Sequence, residues 1–390
     1  MLPVDDSFPD FVAAACELSS DITKARDDIE QSRSIPDHLA DTLDAAGFYR
    51  LYVPKSLGGL EAPPQTVFEV IEALSKADAA VGWCLMNAIG IGLATAWLAP
   101  DTARAMFGEP IQLRAAGSLR PLGRAVPVEG GFRVTGRWNF ASGIHNANWM
   151  YCPCVVMDGN KPSITQAGTP LARTMWIRHA DITLIDNWSV MGLRGTGSHD
   201  FAVEGFFVPQ AHSVSVAESA YQTGPLYKSR SFLALFHLLF AANALGIARA
   251  AQDTLIQMAA HEASSLSPVL LQDRATVQAC VGKSEAIINA ARGYVVDALA
   301  QCWAVAQTDG EPSREIAQLR LAIPHAIRES VRAVDLIYHA AGTNAIYTSN
   351  KLERMFRDIH VAVQHYAAFP VHFESGGKVL LGLKPSDPGW

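Results

Sequence analysis

The spacing of hydrophobic residues along this chain changes twice, and each change marks a different kind of backbone. Through residue 111 apolar side chains recur at three- and four-residue intervals, as in residues 11–29, the mark of helices buried along one face. From residue 112 to about 214 the interval falls to two, so side chains alternate between the faces of a pleated strand. After Pro225 the helical interval returns and persists. One element cannot satisfy both periods. The chain is therefore expected to be an α+β protein of three parts: an N-terminal α-helical domain over 1–111, a central β-barrel or sandwich over 112–215, and a C-terminal four-helix bundle over 216–390.

Punctuation residues sharpen this outline. Ser34-Ile35-Pro36-Asp37 is a start signal for a helix over 39–46, closed by Gly47, and a turn-rich stretch at 52–59 leads to helices over 64–76 and 79–99. Strands are expected at 113–117, 126–128, 132–140, 149–156, 174–177, 182–184 and 201–208, with a hairpin turn at Gly130-Gly131. Four long helices are expected at 226–261, 269–308, 313–341 and 349–376. Residues 79–99 are long and apolar enough to span a membrane, with Asn87 the only strongly polar side chain. Acids flank them at Asp78 and Asp101, and Gly82, Gly90 and Gly92 suit close packing, so a buried helix is expected rather than a membrane one.

Charge and cysteine usage narrow the function. A net charge of -7 without a run of Lys or Arg gives no surface for a phosphate backbone, so nucleic acid is not an expected partner. Asp5 and Asp6 stand where a signal peptide needs positive charge, and the six cysteines are scattered apart from Cys152-Pro153-Cys154. That spacing on a strand matches neither a redox pair nor zinc ligands, so reduced thiols, a cytoplasmic location and no metal site are expected. His237 and Asn243, in an apolar helix, read as satisfied core residues.

Three stretches carry candidate chemistry. The first is the strand Trp138-Asn139-Phe140-Ala141-Ser142-Gly143, in which Trp138 and Phe140 share a face by alternation. A small hydroxyl beside a glycine at an aromatic-flanked strand end lets a flat conjugated ring such as a flavin lie on backbone while the O–H meets a ring heteroatom. An ordinary strand end with a turn glycine has the same residues. The second stretch, Gly192-Leu193-Arg194-Gly195-Thr196-Gly197-Ser198, offers backbone N–H groups, two hydroxyls and an arginine to a phosphate or carbonyl. A decorated hairpin would look the same. The third runs from Arg354 through Asp358 and His360 to His365 and Tyr366 on one expected helix, where Arg354 and Asp358 can pair and Asp358 and His365 lie along one side. His360 and His365, five apart, diverge by about 140° on such a helix and are not a metal couple.

In this order these stretches resemble the acyl-CoA dehydrogenase superfamily over roughly residues 8–385. Within it, Tyr366 stands where dehydrogenases using this helix carry their glutamate base, and a phenol is a poor base for an α-proton. Gln364-His365-Tyr366 and the Trp-Asn-aromatic-x-Ser-Gly strand instead resemble the two-component (group D) flavin-dependent monooxygenases. That resemblance implies an oxygenase that takes reduced FAD or FMN from a separate flavin reductase and reacts it with O2. It then hydroxylates a small aromatic or heteroaromatic molecule, indole- or phenol-like, through a flavin C4a-hydroperoxide.

It also implies roles for particular residues. Ser142 lies near flavin N5, with Trp138, Phe140, Gly143, Arg194, Thr196 and Ser198 on the cofactor side. His365, with a ring near the useful pKa range, acts on the substrate beside Tyr366 and Asn87. Asn87 falls where several relatives carry a second histidine. The implied assembly is a homotetramer in which Gly342, Thr343 and Asn344 reach a neighbour's flavin. The alternatives are a dehydrogenase-like flavin oxidoreductase acting on an acyl thioester with a displaced base, or a catalytically silent helical scaffold.

Overall fold

A computed structural model describes residues 10–263, 268–308 and 313–385. The first helices are α1 (Phe11–Ser32), α2 (Asp37–Ala45), α3 (Pro64–Ala77), α4 (Ala79–Gly92) and α5 (Pro100–Phe107). Asp78 starts α4 by accepting from the N–H groups of Ala80 and Val81, and every residue of α4 except Asn87 is buried. Two segments, Ala79–Trp97 and Phe232–Ala259, are long and apolar enough to cross a membrane, yet 94% and 89% of their apolar windows are buried inside the fold. Their apolar character serves helix packing.

Nine strands follow: β1 (Ala115–Gly117), β2 (Gly123–Val128), β3 (Gly131–Ala141), β4 (Trp149–Asp158), β5 (Lys161–Pro162), β6 (Ala172–Arg178), β7 (Thr183–Ile185), β8 (His199–Pro209) and β9 (Ser213–Val214). They form one mixed sheet in the order β7-β8-β3-β2-β4-β6-β9, with β1 and β5 also pairing with β4. β1 and β2 run parallel to β4, and the other pairs are antiparallel. The two-residue strands β5 and β9 carry too few side chains to register as periodicity.

The bundle consists of α6 (Ser229–Ala259), α7 (Ala275–Ala306), α8 (Ser313–Ala341), α9 (Lys351–Ala362) and α10 (Val371–Leu380). Its expected fourth helix is broken. α9 stops at Ala362, a short turn occupies Tyr366–Ala368, and α10 starts after Pro370. The residue before this proline, Phe369, is extended at ψ 146°, as proline's ring demands of its predecessor. The helices of both chain ends share one hydrophobic core, whereas the sheet has its own, built on Trp138, Phe201, Met150 and Met175. All three candidate stretches meet at the seam between the two cores.

Candidate active site

The sheet ends at this seam in a bulge. Pairing of β3 with β8 slips between Trp138 and Ala141, and Phe140 sits at φ +62°, in the left-handed region. The slip breaks the alternation. Trp138 is fully buried, stacks on Phe201 with ring centroids 5.2 Å apart, and donates its indole N–H to the carbonyl of Pro153 at 2.7 Å. It has no free face for a ligand, which corrects its expected cofactor contact. Phe140 instead turns out, 61% exposed, near the edge of Trp188.

Beyond the bulge the buried Ser142 hydroxyl meets two partners. The indole N–H of Trp83, on α4, donates to it at 3.0 Å, and Ser198 Oγ lies 2.7 Å away. Thr196 Oγ1 is 2.6 Å from Ser198 Oγ and donates to the carbonyl of Leu193 at 2.8 Å. Gly143, at φ +76°, donates its N–H to the carbonyl of Thr196 at 2.8 Å, so the first two stretches are laced together. The third joins through Leu193, itself left-handed at φ +51°, whose N–H donates to Asp358 Oδ1 at 2.6 Å. Burial, with Asp78 and Glu30 nearby, pushes the Asp358 carboxyl up to about 7 despite that hydrogen bond.

The expected pairing of Arg354 with Asp358 does not form. Arg354 binds Asp27 at 2.8 Å and Arg357 binds Glu30 at 3.0 Å, tying α9 to α1. Arg194 joins this group: it faces Glu30 at 3.5 Å and donates to the carbonyl of Val190.

On the other side of Trp83 lies His365. It sits past the end of α9, at the start of the 366–368 turn, so its direction is not that of a helical residue seven beyond Asp358. Its ring stacks on Phe240 with centroids 3.8 Å apart at 10°, and meets Trp83 edge-on at 5.9 Å. Burial among these groups, with His372 nearby, lowers its pKa to about 3, so the expected near-neutral titration is corrected. Nδ1 accepts from the N–H of Ala367 at 3.2 Å, which leaves Nε2 carrying the proton. His365 is thus a neutral hydrogen-bond donor. Lateral His360 bonds the carbonyl of Phe356 and faces Asp335.

Two residues of this group escaped sequence reasoning. Trp83 touches both Ser142 and His365 from inside an apolar helix whose period gives no hint of a site. His237, read as a core residue, is buried one helical turn before Phe240 and packs on His365 at 6.1 Å, Tyr366 at 5.8 Å and His372 at 5.6 Å. Its position three before Phe240 on one α6 face was the available signal. Asn243, by contrast, donates to Ser75 Oγ and the carbonyl of Ala79 within the core. Asn87 donates to the carbonyl of Trp83 at 2.8 Å, and Tyr366, 38% exposed, covers His372. Asn344 lies elsewhere: it donates to Glu262 at 2.8 Å and lines a separate cavity of about 540 Å3 with Arg274, Lys283, His339, Gly342 and Thr343.

Known proteins share this fold and part of this sequence. The acyl-CoA dehydrogenase N-terminal domain family matches residues 10–103, and the acyl-CoA dehydrogenase C-terminal domain family matches residues 238–370. An indole-3-acetate monooxygenase of Acinetobacter baumannii is 30% identical, covering 90% of this chain and 88% of its own. The chain belongs to the two-component flavin-dependent monooxygenases of the acyl-CoA dehydrogenase fold. The flavin-dependent monooxygenase oxygenase subunit HsaA of Mycobacterium tuberculosis is 26% identical over 96% of both chains. The structure of XiaF from Streptomyces sp., in complex with FADH2 and glycerol, superposes with a TM-score of 0.87 at 25% identity, covering 97% of this chain and 96% of that one.

As a member of this monooxygenase family, the protein works with reduced FAD or FMN supplied by a separate reductase, and with O2. Its residues fit a flavin. Ser142 Oγ keeps one unfilled lone pair at a backbone turn, while the exposed ring of Phe140 and Met191, 55% exposed, offer apolar surface to a flat heterocycle.

Proposed function

We propose that this monooxygenase hydroxylates a small aromatic or heteroaromatic substrate, indole- or phenol-like, held between Ser142 on the flavin side and His365 on the far side. The observation that carries this reading is Trp83, whose N–H binds Ser142 while its edge meets a neutral His365 stacked on Phe240. These mutually packed rings offer an apolar wall to a flat substrate, with the His365 Nε2–H as its orienting donor. The 30% identity to an indole-3-acetate monooxygenase supports an indole-type ring. Reduced flavin, when bound, supplies the electrons that activate oxygen. The chain's own part is to exclude water with α4 and Phe240, hold the flavin edge at Ser142, and orient the substrate at His365. Tyr366, in the glutamate's place, disfavours thioester dehydrogenation.

The same reading places the protein in the cytoplasm, independent of membranes and nucleic acid, as a homotetramer. There Gly342, Thr343 and Asn344 and the cations Arg274 and Lys283 would meet the tail of a neighbour's flavin. Flavin contacts at Phe140, Ser142, Gly143 and Arg194 belong to the proposal, with Thr196 and Ser198 placed behind Ser142. The test is anaerobic titration with reduced FAD and reduced FMN, then mixing with 18O2 and an indole or phenol panel in the presence of a flavin reductase. Incorporation of 18O into an aromatic product is expected. Tight retention of oxidised flavin that an acyl thioester bleaches, with no labelled product, would overturn it.

A further inference from the structure

The hydrogen bonds around Ser142 form a chain whose direction can be deduced atom by atom. The Leu193 carbonyl can only accept, so Thr196 Oγ1, 2.8 Å away, spends its single proton there. Ser198 Oγ is 2.6 Å from Thr196 Oγ1, and since Thr196 has no proton left, Ser198 must donate. Ser142 Oγ is 2.7 Å from Ser198 Oγ, so by the same step Ser142 donates to Ser198. The Trp83 indole is a donor only, and it donates to Ser142 at 3.0 Å. Ser142 has therefore given its one proton and filled one of its two lone pairs.

We infer that the relay Trp83–Ser142–Ser198–Thr196, ending on the Leu193 carbonyl, makes Ser142 purely an acceptor toward a ligand and so selects the reduced over the oxidised flavin. This rests on the flavin reading of the site. The N5 of a reduced isoalloxazine bears a hydrogen and donates, whereas the N5 of the oxidised ring is an unprotonated acceptor. Against Ser142 the first completes a hydrogen bond, and the second sets lone pair against lone pair in a buried place. Ser142, Ser198 and Thr196 are 6%, 3% and 1% exposed, so bulk water does not reorient the hydroxyls. The far end is also held. The Leu193 carbonyl accepts a second hydrogen bond from the Trp188 indole at 3.1 Å, and the Leu193 N–H is bound by Asp358. Ser198 and Thr196 are positioning residues, acting on the flavin through Ser142.

The test is anaerobic equilibrium binding of reduced and oxidised FAD and FMN to the full-length protein. It is backed by the two-electron potential of bound flavin, in which a tenfold change of the affinity ratio is about 30 mV. Wild type is expected to favour the reduced form. In Ser198→Ala the Ser142 proton is released, so oxidised flavin should bind more tightly and the ratio fall by roughly tenfold. Thr196→Val should do the same by removing the acceptor for Ser198, while Thr196→Ser, which keeps the hydroxyl, should retain the wild-type ratio. A merely structural loss would weaken both redox forms together. An unchanged ratio in Ser198→Ala and Thr196→Val, with Ser142→Ala altering it, would overturn the relay and leave the flavin site standing. If no flavin binds wild type in either redox state, the flavin reading fails and the relay with it.

Discussion

Asp358 offers the strongest quantitative check, because it is 5% exposed and lies where α9 holds the Leu193 turn. Burial, with Asp78 and Glu30 nearby, raises its pKa from 3.8 to about 7, against the opposing effects of the Leu193 N–H and Arg357. The folded chain thus holds this proton more tightly than the unfolded one. The group's favourable contribution is complete below about pH 4 and is lost as pH rises through about 7. At about 1.4 kcal/mol per pH unit, the loss between pH 4.5 and 7.5 works out to roughly 3 kcal/mol. Asp358→Asn keeps an oxygen for the Leu193 N–H and removes the titration. Its stability relative to wild type should therefore climb by that amount across the interval. Urea unfolding of both proteins at each pH, followed by tryptophan fluorescence, measures the difference. Parallel pH profiles for the two proteins would refute an ionisation cost at Asp358.

Other expectations follow from single contacts. Trp138→Ala removes a fully buried ring and its bond to Pro153, and should cost about 3–5 kcal/mol of stability. The fraction that still folds should bind reduced flavin normally, as equilibrium binding would show, because Trp138 faces the sheet core. The ring of His365, held near 3 by burial, should show no protonation shift in NMR between pH 5 and 8, and a midpoint near 6.5 would contradict its role as a neutral donor. A Cβ on Gly90 would stand 2.1 Å from the Phe236 ring, where α4 crosses α6. Gly90→Ala should then cost about 1–3 kcal/mol in thermal unfolding.

Much of the scaffold is legible in the amino-acid sequence, since helix and strand periods, proline and glycine breaks and caps are local properties of the chain. Helices fill residues 11–107, strands lie within 115–214 and helices resume at 229, close to where the hydrophobic period changes. The three stretches bearing Ser142, Thr196 with Ser198, and His365 are visible as motifs, and the family resemblance rests on their order. Parity is less secure. A two-residue period assumes an unbroken pleat, and the slip between Trp138 and Ala141 sends Trp138 inward and Phe140 outward.

His365 departs from the helical assumption for a similar reason, as the chain leaves α9 three residues before it. The sequence by itself therefore determined the element types, their order and the presence of a hydroxyl and a histidine suited to flavin chemistry. Only the tertiary structure decided who stands beside them. Trp83 reaches Ser142 from 59 residues away, Ser198 from 56, and Phe240 lies over the His365 ring from another helix. The direction of the Ser142 hydroxyl and the charge of His365 depend on those neighbours. Hydrogen-bond polarity and desolvation are set by atoms a few ångströms away in space, whatever their distance along the chain.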